Sequence, residues 1–178
     1  MFDVAVEVQA VTCLDNIMYV VCWSSSTIVL YNTDTFSPLD VVINIEGSRC
    51  CHDIIVCRDD RQLYVADWHD DCIWRVSADD HSYVKWLTTT CTFHAYTNYR
   101  MSLKSGQLLV TQRQPPRLRQ YSTTDRQLLR VVELHDPVDE LSHAVETTRQ
   151  TFVITYQDTS LDDEQFAVSD LFSFCHWQ

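Results

Sequence analysis

The chain has 178 residues, of which 46% are hydrophobic and 21% are charged, and its formal net charge is -12 at pH 7. These values are typical of a globular domain and exclude an intrinsically disordered chain. The acidic charge repels phosphate backbones and anionic lipid at long range, which disfavours nucleic acid and membrane surfaces and leaves a protein as the expected partner.

The first eight residues, Met1 to Val8, lack the positive leader and continuous apolar stretch of a secretory signal. No window approaches the roughly 18 apolar residues that cross a membrane. Without a signal or an Asn-x-Ser/Thr acceptor, the eight cysteines are interpreted as reduced thiols rather than as a disulfide framework. The sequence therefore predicts a cytoplasmic location.

The chain repeats itself. A shift of 45 residues superimposes like residues in three consecutive stretches, including Tyr19 on Tyr64, Trp23 on Trp68, Ile28 on Ile73, Val65 on Val110, Ser77 on Ser122 and Asp80 on Asp125. A fourth, looser copy aligns at a shift of 43, with Gln150 and Val153 matching Gln107 and Val110, and carries an insertion between Tyr156 and Gln165. A period of this length indicates propeller blades or solenoid units.

Taken in chain order, the copies predict blades at approximately 8–47, 53–90, 98–137 and 142–178. The second copy is the clearest, because its apolar residues fall into four short runs: Ile54–Val56, Leu63–Ala66, Ile73–Val76 and Tyr83–Leu87. Short polar turns separate these runs, and no copy shows helical spacing. We therefore predict an all-β fold, a β-propeller built from about four four-stranded antiparallel blades, with residues 1–178 forming one propeller domain or a fragment of one.

One turn recurs at the same place in three copies, as Tyr31–Phe36, Val76–His81 and Tyr121–Arg126. Its Asn, Asp, Ser and Thr residues can bond their own backbone and close a hairpin without glycine. This partly explains how a chain with only two glycines can form so many turns.

The stretch Val56–Val76 resembles an NHL repeat, through Leu63-Tyr64-Val65-Ala66-Asp67 followed by Ile73 and Val76. The other copies are weaker, with Cys22, Gln112 and Thr155 standing where Asp67 stands. The resemblance implies a ring, commonly of about six blades, that serves as a platform for protein or RNA partners. In related rings it implies a metal-dependent hydrolase or lactonase.

About four blades leave two arrangements open, a closed four-bladed ring or part of a larger one. The incomplete ring is favoured, because the strand edges are not visibly guarded and the segment Phe172–Trp177 carries several apolar residues. A truncated gene product without independent function is a further alternative.

The densest set of potential metal ligands is Asp67, His69, Asp70 and Asp71. The equivalent turns of the neighbouring copies offer no carboxylates, so this segment is interpreted as a solvated turn. The stretch Cys50–His52 lacks the Cys-x-x-Cys spacing that surrounds a zinc ion, and its cysteines are interpreted as packed thiols. No metal and no cofactor are expected.

No Gly-x-Ser-x-Gly elbow or other activated nucleophile is visible, so no catalytic residue is assigned. The favoured function is a non-enzymatic protein-binding scaffold of NHL-like type, with recognition on loop surfaces. The alternative is part of a six-bladed metal-dependent hydrolase or lactonase. Three or more carboxylate or imidazole groups from different blades, within coordination distance at the axis, would indicate the enzyme.

Five residues are candidates for binding: Trp23, Trp68, Arg113, Arg117 and Arg119. The two tryptophans stand at equivalent turns and form either an exposed aromatic patch or, as favoured, packing between adjacent blades. The arginines could meet an acidic peptide or RNA, but are interpreted mostly as blade surface that pairs with neighbouring Asp and Glu.

Overall fold

The computed structural model describes residues 7–88, 100–113, 116–134, 140–147, 151–157 and 166–171, with only the backbone described for 140, 157 and 166–171. These residues form fifteen β-strands. The chain divides into two compact units, Met1–Tyr96 and Thr97–Gln178.

The first unit holds two four-stranded sheets. The strands of the first are β1 (Val8–Leu14), β2 (Ile17–Cys22), β3 (Thr27–Asn32) and β4 (Pro38–Asn44). Those of the second are β5 (Cys51–Cys57), β6 (Gln62–Asp67), β7 (Cys72–Ser77) and β8 (Tyr83–Thr88). Within each sheet, consecutive strands pair antiparallel.

The second unit repeats this plan. Its first sheet contains β9 (Arg100–Lys104), β10 (Gln107–Gln112), β11 (Arg117–Ser122) and β12 (Leu128–Glu133). Its second contains β13 (Glu140–Glu146), β14 (Phe152–Gln157) and β15 (Phe166–Leu171), again paired in chain order. A meander of consecutive antiparallel strands is the blade of a propeller, so the predicted all-β architecture is confirmed.

The core of the first unit lies between its two sheets. It is built from alternate residues of the inner strands, including Tyr19, Val21, Leu63 and Val65, each no more than 1% exposed. Burying one such side chain stabilises the fold by about 1.5–3 kcal/mol. Because only alternate residues of a strand share a face, each sheet packs on its neighbour through one set of positions.

The fourth copy is one residue out of the predicted register. In the first unit Tyr19 of one blade packs in a cluster with Val65 of the next. Leu109 is the equivalent of Tyr19 in the third blade, so it should pack on the residue of the fourth blade that is equivalent to Val110. Leu109 shares a cluster with Phe152 and Ile154 of the fourth blade. Ile154 therefore corresponds to Val110 at a shift of 44, and the alignment at 43 is wrong, since a one-residue slip exchanges the two faces of a strand. The predicted insertion lies mostly outside the described residues.

The recurring turn closes as predicted. The Asn32 Oδ1 atom accepts hydrogen bonds from the backbone N–H groups of Asp34 (2.9 Å) and Thr35 (3.0 Å). Ser77 Oγ accepts in the same way from Asp79 (3.3 Å) and Asp80 (3.4 Å).

The same turns contain left-handed residues that are not glycine. Phe36, His81 and Arg126 have φ values of 52°, 60° and 63°. For an L residue this conformation costs about 1–2 kcal/mol. Residues other than glycine thus adopt the left-handed conformation at equivalent positions of three blades, at a cost in backbone strain.

Candidate protein-binding surface of the first unit

Three segments come together at one end of the two sheets in the first unit: the β2–β3 turn, the β6–β7 turn and the β4–β5 connection. Successive turns of a meander alternate between its two ends, which places all three on the same side. Backbone hydrogen bonds join them, from Cys51 N–H to the Ser25 carbonyl (2.8 Å) and from Trp68 N–H to the Cys50 carbonyl (3.1 Å). We call this side the aromatic end.

Trp23, His52 and Trp68 form an aromatic cluster at this end. The ring centroids of Trp23 and Trp68 are 5.2 Å apart with the planes tilted by 50°, and the His52 centroid lies 5.8 Å from that of Trp68. Trp68 is half-buried and His52 is buried, whereas Trp23 is 43% exposed. Consecutive blades therefore contribute one tryptophan each to a contact whose outer member faces solvent.

Asp67 holds the loops beneath this cluster. Its side chain is fully buried at the end of β6. Oδ1 accepts hydrogen bonds from the backbone N–H groups of His69 (2.9 Å) and Asp70 (3.2 Å), and Oδ2 accepts one from Arg49 (3.1 Å). The interpretation of this residue as part of a solvated turn is therefore wrong, because its carboxylate organises the β6–β7 turn and the β4–β5 connection together.

Charged side chains flank the aromatic cluster. Arg49 is largely exposed, and its Nε lies 4.0 Å from Oδ1 of the less exposed Asp70. Exposed pairs at this distance contribute little to stability. Here the pair places charges of both signs beside the aromatic cluster.

The cysteines near this end are buried free thiols. Burial raises the pKa of Cys51 to about 12, and burial raises the pKa of Cys72 to about 12 as well. Cys50 is also free and buried, so the interpretation of Cys50 and Cys51 as packed thiols is confirmed. Cys91 and Cys175 lie outside the described residues. Among the residues that the structure describes, no three His, Cys, Asp or Glu side chains are grouped so as to hold a metal ion.

The three candidate arginines belong to the second unit. Arg113 follows β10 at the position equivalent to Trp23 and Trp68, and is half-buried. Arg117 and Arg119 share one face of β11, where the Arg117 Nε lies 3.5 Å from Glu133 Oε1 on the paired strand. The predicted pairing with an acidic neighbour is therefore found for Arg117, whereas Arg119 lies opposite Val131.

An ionic cluster at the opposite end of the first unit was not predicted. Arg61 contacts Asp15 through Nη1 and Asp79 through Nε, both at 2.7 Å. Hydrogen bonds to Asp15 and then Asp79 raise the pKa of Arg61 above its usual value. The three residues come from the β1–β2, β5–β6 and β7–β8 turns, which a meander places at one end. The alternation of turns in a meander could therefore have predicted that these three charged residues lie close together. We call this side the ionic end.

Comparison with known proteins identifies the fold but not a family. No family model matches the chain, and no curated protein matches it. Solved structures do. The RRP9 WD40 repeats are 11% identical with a TM-score of 0.67 over 92% of this chain and 51% of that one. A chain of a nidogen–laminin complex is 14% identical with a TM-score of 0.64 over 84% and 57%.

Hydrazine synthase of Kuenenia stuttgartiensis is also similar, at 11% identity with a TM-score of 0.70 over 96% of this chain and 49% of that one. The chain thus spans about half the length of the solved structures it matches. Identities this low carry the fold alone, and together with the four sheets they define a β-propeller protein. Among the described residues no helix is long and apolar enough to cross a membrane.

Proposed function

We propose that this chain is an NHL-like propeller segment that acts as a non-enzymatic scaffold and binds a protein partner through the aromatic cluster. The observation that carries the proposal is the contact between Trp23 and Trp68, which leaves Trp23 43% exposed. Tryptophan is enriched among the residues that dominate binding energy at protein interfaces. A free surface that exposes one in a fixed orientation is suited to that role.

The preorganised loops support this function. Asp67, which ends the Leu63-Tyr64-Val65-Ala66-Asp67 core of the NHL-like match, accepts hydrogen bonds from three backbone N–H groups of two loops. Loops already ordered in the free protein lose less conformational entropy when a partner binds. The NHL-like residues would thus act by fixing the loops on which the tryptophans stand.

The chemistry of the partner follows from charge. A net charge of -12 favours a partner with a basic surface and disfavours RNA. One of the similar structures is a nidogen–laminin complex, a protein–protein assembly, which supports a protein partner here. Arg113, Arg117 and Arg119 remain a second proposed contact region, suited to an acidic segment of the partner.

We further propose that residues 1–178 form one propeller domain, or a fragment of one, and that the protein is cytoplasmic. Cysteines 13, 22, 50, 51, 57 and 72 are free thiols, which is in keeping with a reducing compartment.

Affinity capture with quantitative mass spectrometry tests the proposal. The bait is the full chain, compared with Trp23→Ala and with Phe36→Ala. Phe36 is the matched control, because it is an exposed aromatic residue on the same sheet but at the ionic end. We expect at least one protein to be retained by the wild type and by Phe36→Ala and to be lost about tenfold or more with Trp23→Ala. If every captured protein responds equally to both substitutions, the aromatic cluster is not the binding site.

A further inference from the structure

Glu7 lies directly opposite Trp23 at the aromatic end. The Trp23 N–H donates to the Glu7 carbonyl (2.8 Å), which continues the antiparallel pairing of β1 with β2 beyond Val8 and Cys22. Residues paired in this way point their side chains to the same face of a sheet, with their Cβ atoms about 5 Å apart. Glu7 is exposed and Trp23 is 43% exposed. A carboxylate that is open to solvent thus stands beside an indole ring that is open to solvent.

The fourth blade shows what such a pair can hold. Glu146 and Phe152 lie directly opposite each other on β13 and β14. The Arg130 guanidinium lies over the Phe152 ring, with Cζ 4.6 Å from the centroid, and its Nη2 atom donates to Glu146 Oε1 (3.2 Å). A glutamate and an aromatic residue paired across two strands therefore bind a guanidinium together, through a charge-assisted hydrogen bond and a cation–π contact.

The Glu7–Trp23 pair has the same chemistry without a cation of its own. Among the residues that the structure describes, no lysine or arginine lies over the Trp23 ring, and Glu7 forms no ion pair. Glu7 Oε1 accepts a hydrogen bond from the Gln9 side chain (3.3 Å), which is neutral. The place that Arg130 fills in the fourth blade is thus open to a group from another molecule.

We propose that the Glu7–Trp23 pair binds an arginine side chain of the partner protein, an inference that rests on the function proposed above. The charge of the adjoining loops favours a cation, since three carboxylates are accompanied by one guanidinium: Glu46, Asp70, Asp71 and Arg49. Arginine fits better than lysine, because its planar guanidinium can stack on one ring face while it donates to a carboxylate, and because it is more weakly hydrated than an ammonium. An apolar side chain would gain nothing from Glu7.

NMR titration of the full chain tests this inference. The probe is the peptide acetyl-Gly-Arg-Gly-amide, compared with the same peptide carrying lysine or citrulline, whose side chain has the shape of arginine without its charge. We expect the arginine peptide to shift the backbone amide signals of residues 23–26 saturably at millimolar concentration, because one exposed cation–π contact is weak. The lysine peptide should bind about threefold more weakly and the citrulline peptide about tenfold more weakly.

Two variants separate the Glu7 carboxylate from the general charge of this end. Glu7→Gln should weaken binding of the arginine peptide about threefold or more. Glu46→Gln removes a charge that is also exposed, in the β4–β5 connection, and should leave the affinity nearly unchanged. The spectrum of each free variant reports whether it is folded. Equal binding of the arginine peptide and either comparison peptide, an unchanged affinity in Glu7→Gln, or no saturable shift at residues 23–26 would each overturn the inference.

The capture experiment distinguishes this failure from failure of the proposed function. A protein that is lost with Trp23→Ala but retained by Glu7→Gln would leave the aromatic cluster as the binding site and remove the arginine. An arginine peptide that binds, while no captured protein depends on Trp23, would leave an arginine site without the proposed protein-binding function.

Discussion

The two ends of the first unit are held together by different means. At the aromatic end, a buried carboxylate binds the backbone of two loops beneath Trp23, His52 and Trp68. At the ionic end, Arg61 joins Asp15 and Asp79 through ion pairs whose side chains are 44% to 63% exposed.

This difference shows that an end of the unit can have well-held loops and still expose a large side chain to solvent. Hydrogen bonds to a buried charge are strong and costly to lose, whereas exposed ion pairs are screened by water and salt. We therefore expect the aromatic end to be the more stable of the two, even though it is the end that exposes a tryptophan.

The largest expected effect comes from Asp67→Ala. The substitution leaves three backbone N–H groups without their acceptor, so we expect the free energy of unfolding to fall by about 2–4 kcal/mol. Asp34→Ala, at an exposed turn position of the ionic end, is the control and should change it by less than about 0.5 kcal/mol. Urea unfolding followed by circular dichroism measures both. Equal effects would remove the contrast between the ends.

A double-mutant cycle on Trp23 and Trp68 measures the aromatic contact. We expect a coupling energy of about 0.5–1.5 kcal/mol, as for other tilted aromatic pairs, with the larger single loss from the more buried Trp68. Trp74 and Trp86, both buried, remain as fluorescence reporters in the urea titration. Additive losses would show that the two rings contact one another without stabilising the blades.

A glycine substitution should relieve the backbone strain at Phe36, in a turn of the ionic end. Phe36 has a φ of 52° and is 70% exposed, so Phe36→Gly should stabilise the protein by about 0.5–1 kcal/mol, after allowing for the greater freedom of glycine in the unfolded chain. Thr35→Gly, in the same turn but without a positive φ, should destabilise it. Thermal unfolding by calorimetry distinguishes the two. A loss of stability with Phe36→Gly would mean that the ring makes contacts worth more than the strain.

Arg61→Ala should lower the free energy of unfolding by less than Asp67→Ala at the aromatic end does. Since the ion pairs are exposed, its cost should shrink as salt rises through the physiological range. The measurement is the urea midpoint at low and high ionic strength. A cost that does not depend on salt would show that Arg61 acts through packing.

The smallest expected effect is a pH dependence at Asp80, also at the ionic end. Hydrogen bonds from Ser77 and then Ser82 lower the pKa of Asp80 from 3.8 to about 2. A carboxylate with a lowered folded pKa contributes stability above its unfolded pKa, and that contribution is lost as pH falls from about 4 towards 2. Titration of the Asp80 carboxyl by NMR tests the pKa directly, and Ser77→Ala should raise it. An Asp80 that titrates near 4 in the wild type would contradict the assignment.

The sequence predicted the blades because the apolar runs and turn residues that define each blade lie close together in the chain. The four apolar runs of the second copy coincide with β5–β8, and polar side chains close the recurring turns as expected. The predicted alignment of the fourth copy was wrong by one residue. Similar residue types can be matched at either shift, whereas the alternation of buried and exposed side chains along a strand allows only one.

The site was predicted less completely, since it depends on contacts between blades. Equivalent turns drew attention to Trp23 and Trp68, but they did not predict that the two rings contact one another or that His52 joins them. Asp67 was taken for a solvated residue because its sequence neighbours are charged. Its carboxylate in fact accepts a hydrogen bond from the backbone N–H of Arg49, in a loop far away in the sequence. The partners of Arg61 are likewise far apart in sequence, at positions 15 and 79.

Every described sheet is assembled from strands that follow one another in the chain, with no strand exchanged between blades. Duplication or deletion of one 45-residue copy would therefore leave the hydrogen-bond ladders of the remaining blades whole, and would alter only the apolar faces on either side. Such a chain can complete one blade during synthesis before the next has left the ribosome, since closure of each sheet requires only neighbouring segments. The same property lets a lineage change the number of blades in a single genetic step.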